Sequence, residues 1–190
     1  PFQPEVPVSD TKGKARILIC EDEVLIAADL ESRLKKLGYT IVGKATSGEK
    51  ALELVEKHQP DLVMMDIVLH GKMDGIDAAE VIRDKWGIPV VFLTAYADTD
   101  RLERAKLTYP FGYLLKPFHD RDLKITVEMA LYVAKVDAER RKAEEALRRS
   151  QMMLARTEKI ASIGSWEWEI KEDKVKWSDE LFRIFGMEPR

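Results

Sequence analysis

The feature that most constrains this chain is a repeated alternation between residues 15 and 115. Short apolar, β-branched runs are separated by amphipathic stretches with helical spacing. The runs are Arg16-Ile17-Leu18-Ile19-Cys20, Thr40-Ile41-Val42-Gly43, Leu62-Val63-Met64-Met65, Pro89-Val90-Val91-Phe92-Leu93 and Phe111-Gly112-Tyr113-Leu114-Leu115. Several are apolar throughout, as strands covered on both faces of a parallel sheet require. Between them the spacing predicts helices over Glu23 to Leu37, Gly48 to Lys57, Gly75 to Lys85 and Thr99 to Leu107. Gly38 stops the first and Pro60 follows the second. Five βα repeats in this order predict a doubly wound α/β sandwich.

In such a sheet, ligands bind beyond the carboxyl ends of the strands, where strand order reverses. The first run ends in Glu21-Asp22, the third in Asp66, the fourth in Thr94 and the fifth in Lys116, followed by Pro117. Three carboxylates, a hydroxyl and an ammonium are therefore expected along one edge. Clustered carboxylates without cysteine or histidine ligands suit a hard cation such as Mg²⁺. The lysine and hydroxyl suit phosphoryl oxygens. Taken alone, Glu21 and Asp22 read as a helix cap, and Thr94 as a structural hydroxyl. Only the combination points to a metal site. Cys20 reads as a buried strand residue, and His58 and His70 as surface residues. No G-x-x-x-x-G-K-[ST] loop occurs, which excludes a P-loop nucleotide site.

Five motifs carry a resemblance. They are Ile17-Leu18-Ile19-Cys20-Glu21-Asp22-Glu23, Pro60-Asp61-Leu62-Val63-Met64-Met65-Asp66, Met73-Asp74-Gly75, Phe92-Leu93-Thr94-Ala95 and Tyr113-Leu114-Leu115-Lys116-Pro117-Phe118. Together, in order, they resemble the receiver domains of response regulators in two-component signalling. The resemblance covers about residues 15–133. It implies a flavodoxin-like, five-stranded parallel sheet of order 2-1-3-4-5. It implies that Asp66 is the phosphoacceptor. It also implies that Asp22, Asp66 and the backbone carbonyl of Val68 bind Mg²⁺, with Glu21 acting mainly through a coordinated water. Thr94 and Lys116 are implied to hold phosphoryl oxygens, Tyr113 to be the switch aromatic that follows Thr94, and the Lys116–Pro117 peptide to be cis. The implied partner is a histidine kinase or phosphotransfer protein. One departure stands out. The loop Ile67-Val68-Leu69-His70-Gly71-Lys72-Met73-Asp74 is one residue longer than the family pattern and has His70 where a proline is usual.

After Asp120, an expected N-cap, the chain carries no Gly or Pro up to Lys159, and good helix formers dominate. Leu123, Val127 and Leu131 form a stripe suited to closing the α/β core. Glu144/Arg148 and Glu145/Arg149 are favourable i,i+4 pairs. Val133, Val136, Ala143, Leu147 and Leu154 follow a heptad register that Arg140 and Ser150 interrupt. This predicts a helical linker over residues 134–159 and a homodimeric coiled coil. Residues 160–190 predict a hairpin, then a short helix capped by Ser178 and ended by Gly186. Ile163-Gly164-Ser165-Trp166-Glu167-Trp168, Trp177-Ser178-Asp179-Glu180-Leu181 and Ile184-Phe185-Gly186 are similar to the start of PAS sensor domains, over about the first third of that fold. The likeness implies an incomplete PAS domain. The alternative it raises is the N-terminal regulatory part of a hybrid histidine kinase.

Composition removes other classes. A formal net charge of −3 argues against a nucleic-acid binder. One cysteine excludes an internal disulfide framework and fits a reducing cytoplasm. No apolar run is long enough to enter a membrane as a span. Residues 1–14, with prolines at 1, 4 and 7, read as a disordered leader. A strand-end aspartate phosphatase is the remaining enzymatic alternative. Such enzymes carry a second aspartate two residues after the nucleophile, and here that position is Val68, which transfers no proton. The chain is therefore expected not to be an enzyme acting on external substrates.

Overall fold

The computed structural model describes residues 15–95 and 111–188. The expected leader and the expected helix over Thr99 to Leu107 lie outside the described residues. The chain divides into two compact units, with the boundary between Val136 and Asp137.

In the first unit, strands β1 (Arg16–Cys20), β2 (Thr40–Ala45), β3 (Leu62–Asp66), β4 (Val90–Thr94) and β5 (Gly112–Leu115) form one sheet of order β2-β1-β3-β4-β5. Every pairing is parallel, with one register irregularity between Ile17 and Leu18. Successive side chains of a strand point to opposite faces, and this sorts the core into two layers. Leu18, Cys20, Val63, Met65 and Phe92 pack with Ala51 and Val55 of α2 (Gly48–His58) and with Ala79 and Ile82 of α3 (Gly75–Trp86). Ile17, Ile19, Met64, Val91 and Leu93 pack with Leu30 and Leu34 of α1 (Val24–Lys36) and with Leu123, Val127 and Ala130 of α4 (Asp120–Ala161). Each fully buried Leu or Val side chain contributes roughly 1.5–3 kcal/mol.

Local chemistry sets the helix ends. Ser47 caps α2 by accepting from the Lys50 amide, and Asp74 caps α3 by accepting from the Asp77 amide. Gly87, at φ +66°, closes α3 in the left-handed conformation. Asp120 differs from its expected role. It is the first residue of α4 rather than its cap, and its carboxylate accepts from Arg33 at 2.5 Å. An acidic group in a first turn is favoured by the helix dipole as well as by that guanidinium.

Helix α4 packs on the sheet through Leu123, Val127 and Ala130, spaced i, i+4, i+7. Beyond Ala130 no described residue of the helix is buried. Val133, Val136, Leu147 and Leu154 are all exposed. In the second unit, β6 (Trp166–Glu169) and β7 (Lys174–Trp177) form an antiparallel hairpin, followed by α5 (Asp179–Ile184). Ser178 caps α5 by accepting from the Leu181 amide. Gly164 lies so close to α5 that a Cβ there would meet the Leu181 backbone at 2.6 Å. None of the described residues from 162 to 188 is buried, and the hairpin tryptophans face solvent. Too little apolar surface is present in this segment to close a core. Among the described residues, no helix is long and apolar enough to cross a membrane.

Candidate functional site

The parallel register carries the ends of β1, β3, β4 and β5 to one edge. Asp66 is the last residue of β3 and pairs in register with Leu93, one residue before Thr94. The Ile67 amide donates to the Leu93 carbonyl at 3.2 Å, and the Lys116 amide donates to the Thr94 carbonyl at 2.8 Å. On the other side the Glu21 amide donates to the Ala45 carbonyl at 2.9 Å. Backbone hydrogen bonds therefore fix each site residue beside its neighbour. Gly75 brings the start of α3 directly onto the end of β3. A Cβ at that position would stand 1.8 Å from the Asp66 carbonyl oxygen, so only glycine permits the approach.

Carboxylate oxygens of Glu21, Asp22 and Asp66 lie within 4.8 Å of one another. The Lys116 ammonium sits between two of them, 2.7 Å from Asp66 Oδ2 and 2.6 Å from Glu21 Oε2. The Glu21 side chain is fully buried. Burial pushes the Glu21 carboxyl above its ordinary value and Asp66 adds to this, while Lys116 opposes both. Burial likewise works to lower the Lys116 ammonium, but its bonds to Asp66 and Glu21 prevail and hold it above the ordinary lysine range. The second oxygen of Asp66 accepts from the Val68 amide at 3.1 Å. Thr94 is buried, and its hydroxyl donates to the Ala95 carbonyl at 3.1 Å. Tyr113 is half-buried and stacks on Phe92, with ring centroids 5.9 Å apart. The Lys116–Pro117 peptide is cis.

The donor set fits a small hard cation: three convergent carboxylates, all oxygen donors, beside a half-buried ammonium able to neutralise one further anion. Six of the seven site residues expected from the sequence, namely Glu21, Asp22, Asp66, Val68, Thr94 and Lys116, stand at this edge. The seventh, Tyr113, lies on β5 three residues before Lys116. At Val68 the backbone amide holds Asp66 in place by its hydrogen bond. Cys20 is fully buried, and burial raises its thiol far above the ordinary range, which leaves it inert.

Sequence reasoning missed His70. It is a surface residue, as expected, yet its Nδ1 lies in hydrogen-bonding contact with Asp22 Oδ2. Burial works to raise the Asp22 carboxyl, but the His70 hydrogen bond and charge outweigh it and hold it below the ordinary range. The loop that carries His70 is tied to α2. The Lys72 amide donates to Glu49 Oε1 at 3.1 Å, and Gly71 takes a φ of +140° beside the same carboxylate. The available signal was the departure itself: a longer loop, with a histidine four residues after Asp66, leaving the same sheet edge.

Comparison with known proteins follows the same lines. Residues 17–128 match the family pattern described as response regulator receiver domain. The transcriptional regulatory protein PdtaR of Mycobacterium tuberculosis is 46% identical over 123 residues, covering 65% of this chain and 60% of PdtaR. The phyllosphere-induced regulator PhyR of Methylorubrum extorquens is 34% identical over 131 residues, covering 68% of this chain and 48% of PhyR. This chain thus spans about half to three fifths of the length of these relatives. Among solved structures, the signal receiver domain of a modulated diguanylate cyclase from Desulfovibrio desulfuricans G20 aligns with a TM-score of 0.63 at 35% identity, covering 65% of this chain and 98% of that one. The N-terminal domain of a response regulator/sensory box/GGDEF 3-domain protein from Carboxydothermus hydrogenoformans aligns with a TM-score of 0.60 at 37% identity, covering 65% and 98%. These likenesses support a receiver and lend no support to the hybrid-kinase alternative.

Proposed function

The chain belongs to the response regulator receiver family, and on that premise we propose that Asp66 accepts a phosphoryl group from a phosphohistidine of a histidine kinase or phosphotransfer protein. A carboxylate oxygen of Asp66 forms the new O–P bond as the N–P bond of the donor breaks, and the freed imidazole leaves with the electron pair. Asp22, Asp66, the Val68 carbonyl and, through water, Glu21 are the residues that would hold Mg²⁺. When bound, Mg²⁺ supplies charge neutralisation for the crowded oxygens. Lys116 passes from Asp66 Oδ2 to an oxygen of the transferred group, and Thr94 donates its hydroxyl to another. Tyr113 follows Thr94 and reports the change to the rest of the domain. With Val68 in place of a second aspartate, the domain catalyses only its own phosphorylation and dephosphorylation.

The observation that carries this reading is the Lys116 ammonium on Asp66 Oδ2 at 2.7 Å, within a trio of convergent carboxylates. Without cations at that point, a phosphate beside three carboxylates is electrostatically prohibitive. Acetyl phosphate with MgCl₂ provides the test. Intact mass should rise by one phosphoryl group, and Asp66→Asn should abolish the gain. Labelling of Asp66→Asn at the wild-type rate would remove the assignment.

Two finer readings belong with it. The exposed apolar positions of α4 support a homodimer through this helix, which serves as the linker over residues 134–159. The hairpin and capped short helix of residues 162–186, with their exposed tryptophans, support an N-terminal PAS segment as the module that receives the signal. The formal charge of −3 supports a protein-contact output over nucleic-acid or membrane binding, and the single cysteine supports a reducing cytoplasm.

A further inference from the structure

We infer that His70 competes with the divalent cation for Asp22 and so sets the cation affinity of the site; the inference rests on the cation-site reading above. Each clustered carboxylate already has a partner from within the chain. Lys116 serves Glu21 and Asp66, and His70 serves Asp22. Among the described residues, the converging set is Glu21, Asp22 and Asp66, and the His70 nitrogen does not join it. His70 therefore lies against the outer side of one ligand, in the place of a cover and not of a fourth donor.

Three observations make the cover displaceable. The His70 side chain is 92% exposed, so no packing fixes the ring on Asp22. An outer partner that strengthens a metal site does so by holding its ligand in a fixed orientation, and an unpacked ring cannot. Asp22 is also the most exposed of the three carboxylates, at 13% against 0% and 9%, and is the one a cation meets first from solvent. Finally, the backbone beneath His70 is anchored by Glu49 on the Lys72 amide and by the glycine-only conformation of Gly71. The loop stays in place while the imidazole alone swings. An N–H placed on Asp22 draws negative charge from the ligand and occupies the approach to it. Mg²⁺ binding must release that contact.

Titration with MgCl₂ by calorimetry tests this on the full chain. His70→Ala should bind Mg²⁺ more tightly, by about two- to fivefold, the range open to an exposed ion pair. His58→Ala, at the end of α2, serves as the control and should match the wild type. Of the three histidines in the chain, His70 is the one whose ring resonances should shift as Mg²⁺ saturates the wild type. Unchanged or weaker binding by His70→Ala overturns the inference, as do His70 resonances that stay fixed at saturation. Wild-type binding with an unchanged His70→Ala affinity sinks the cover alone. Absence of Mg²⁺ binding in both proteins sinks the cation site and the cover together.

Discussion

At the scale of single residues, Lys116 has a structural role besides the one proposed for it in phosphoryl transfer, because it is the counter-ion of a fully buried glutamate. Removing one partner of a buried pair leaves an uncompensated charge. Lys116→Met should therefore lower unfolding free energy in metal-free urea titrations, by roughly 3 kcal/mol. Adding Glu21→Gln should recover much of the loss, since the more deeply buried of the two orphaned carboxylates is then neutral. Failure of the second change to recover stability would show that Lys116 acts through packing. The positions of Glu21, Asp22, Asp66, Thr94 and Lys116 were legible because strand ends are legible: a buried run that stops at a polar residue marks the sheet edge. His70 was not. Its place depends on Gly71 φ, on the Glu49 tether and on a side chain 48 positions away, none of which has a local signal.

At the scale of elements, the five strands and the helices α1, α2 and α3 followed from period alone, with boundaries displaced by a few residues. Strand β2 runs on to Ala45 and α4 to Ala161. Asp120 was misjudged because an acidic residue suits both a cap and a first turn, and the Arg33 partner that favours the turn comes from a distant helix. Helix α4 also carries the clearest element-level prediction. A helix gains most of its stability from a buried face, yet Leu147 and Leu154 are more than half exposed. Light scattering should show a concentration-dependent dimer, and Leu147→Glu should shift it toward monomer. A wild type that stays monomeric, or a dimer that survives Leu147→Glu, would assign the dimer contact elsewhere or remove it.

At the scale of the whole molecule, the first unit holds a two-layered α/β core, and the second ends in a hairpin segment with no buried residue among those described. The first unit brings the strand-end carboxylate of Asp66, two further carboxylates and the Lys116 ammonium to one sheet edge, where parallel register fixes the strands. The central claim is that phosphoryl transfer ends on Asp66. Borohydride reduction of the acetyl phosphate-treated protein tests it most directly, because it converts an aspartyl phosphate to homoserine and leaves free carboxylates untouched. Peptide mass mapping should then find homoserine in place of Asp66 and at no other aspartate. Reduction at another aspartate, or none in a protein that has gained a phosphoryl group, would contradict the account.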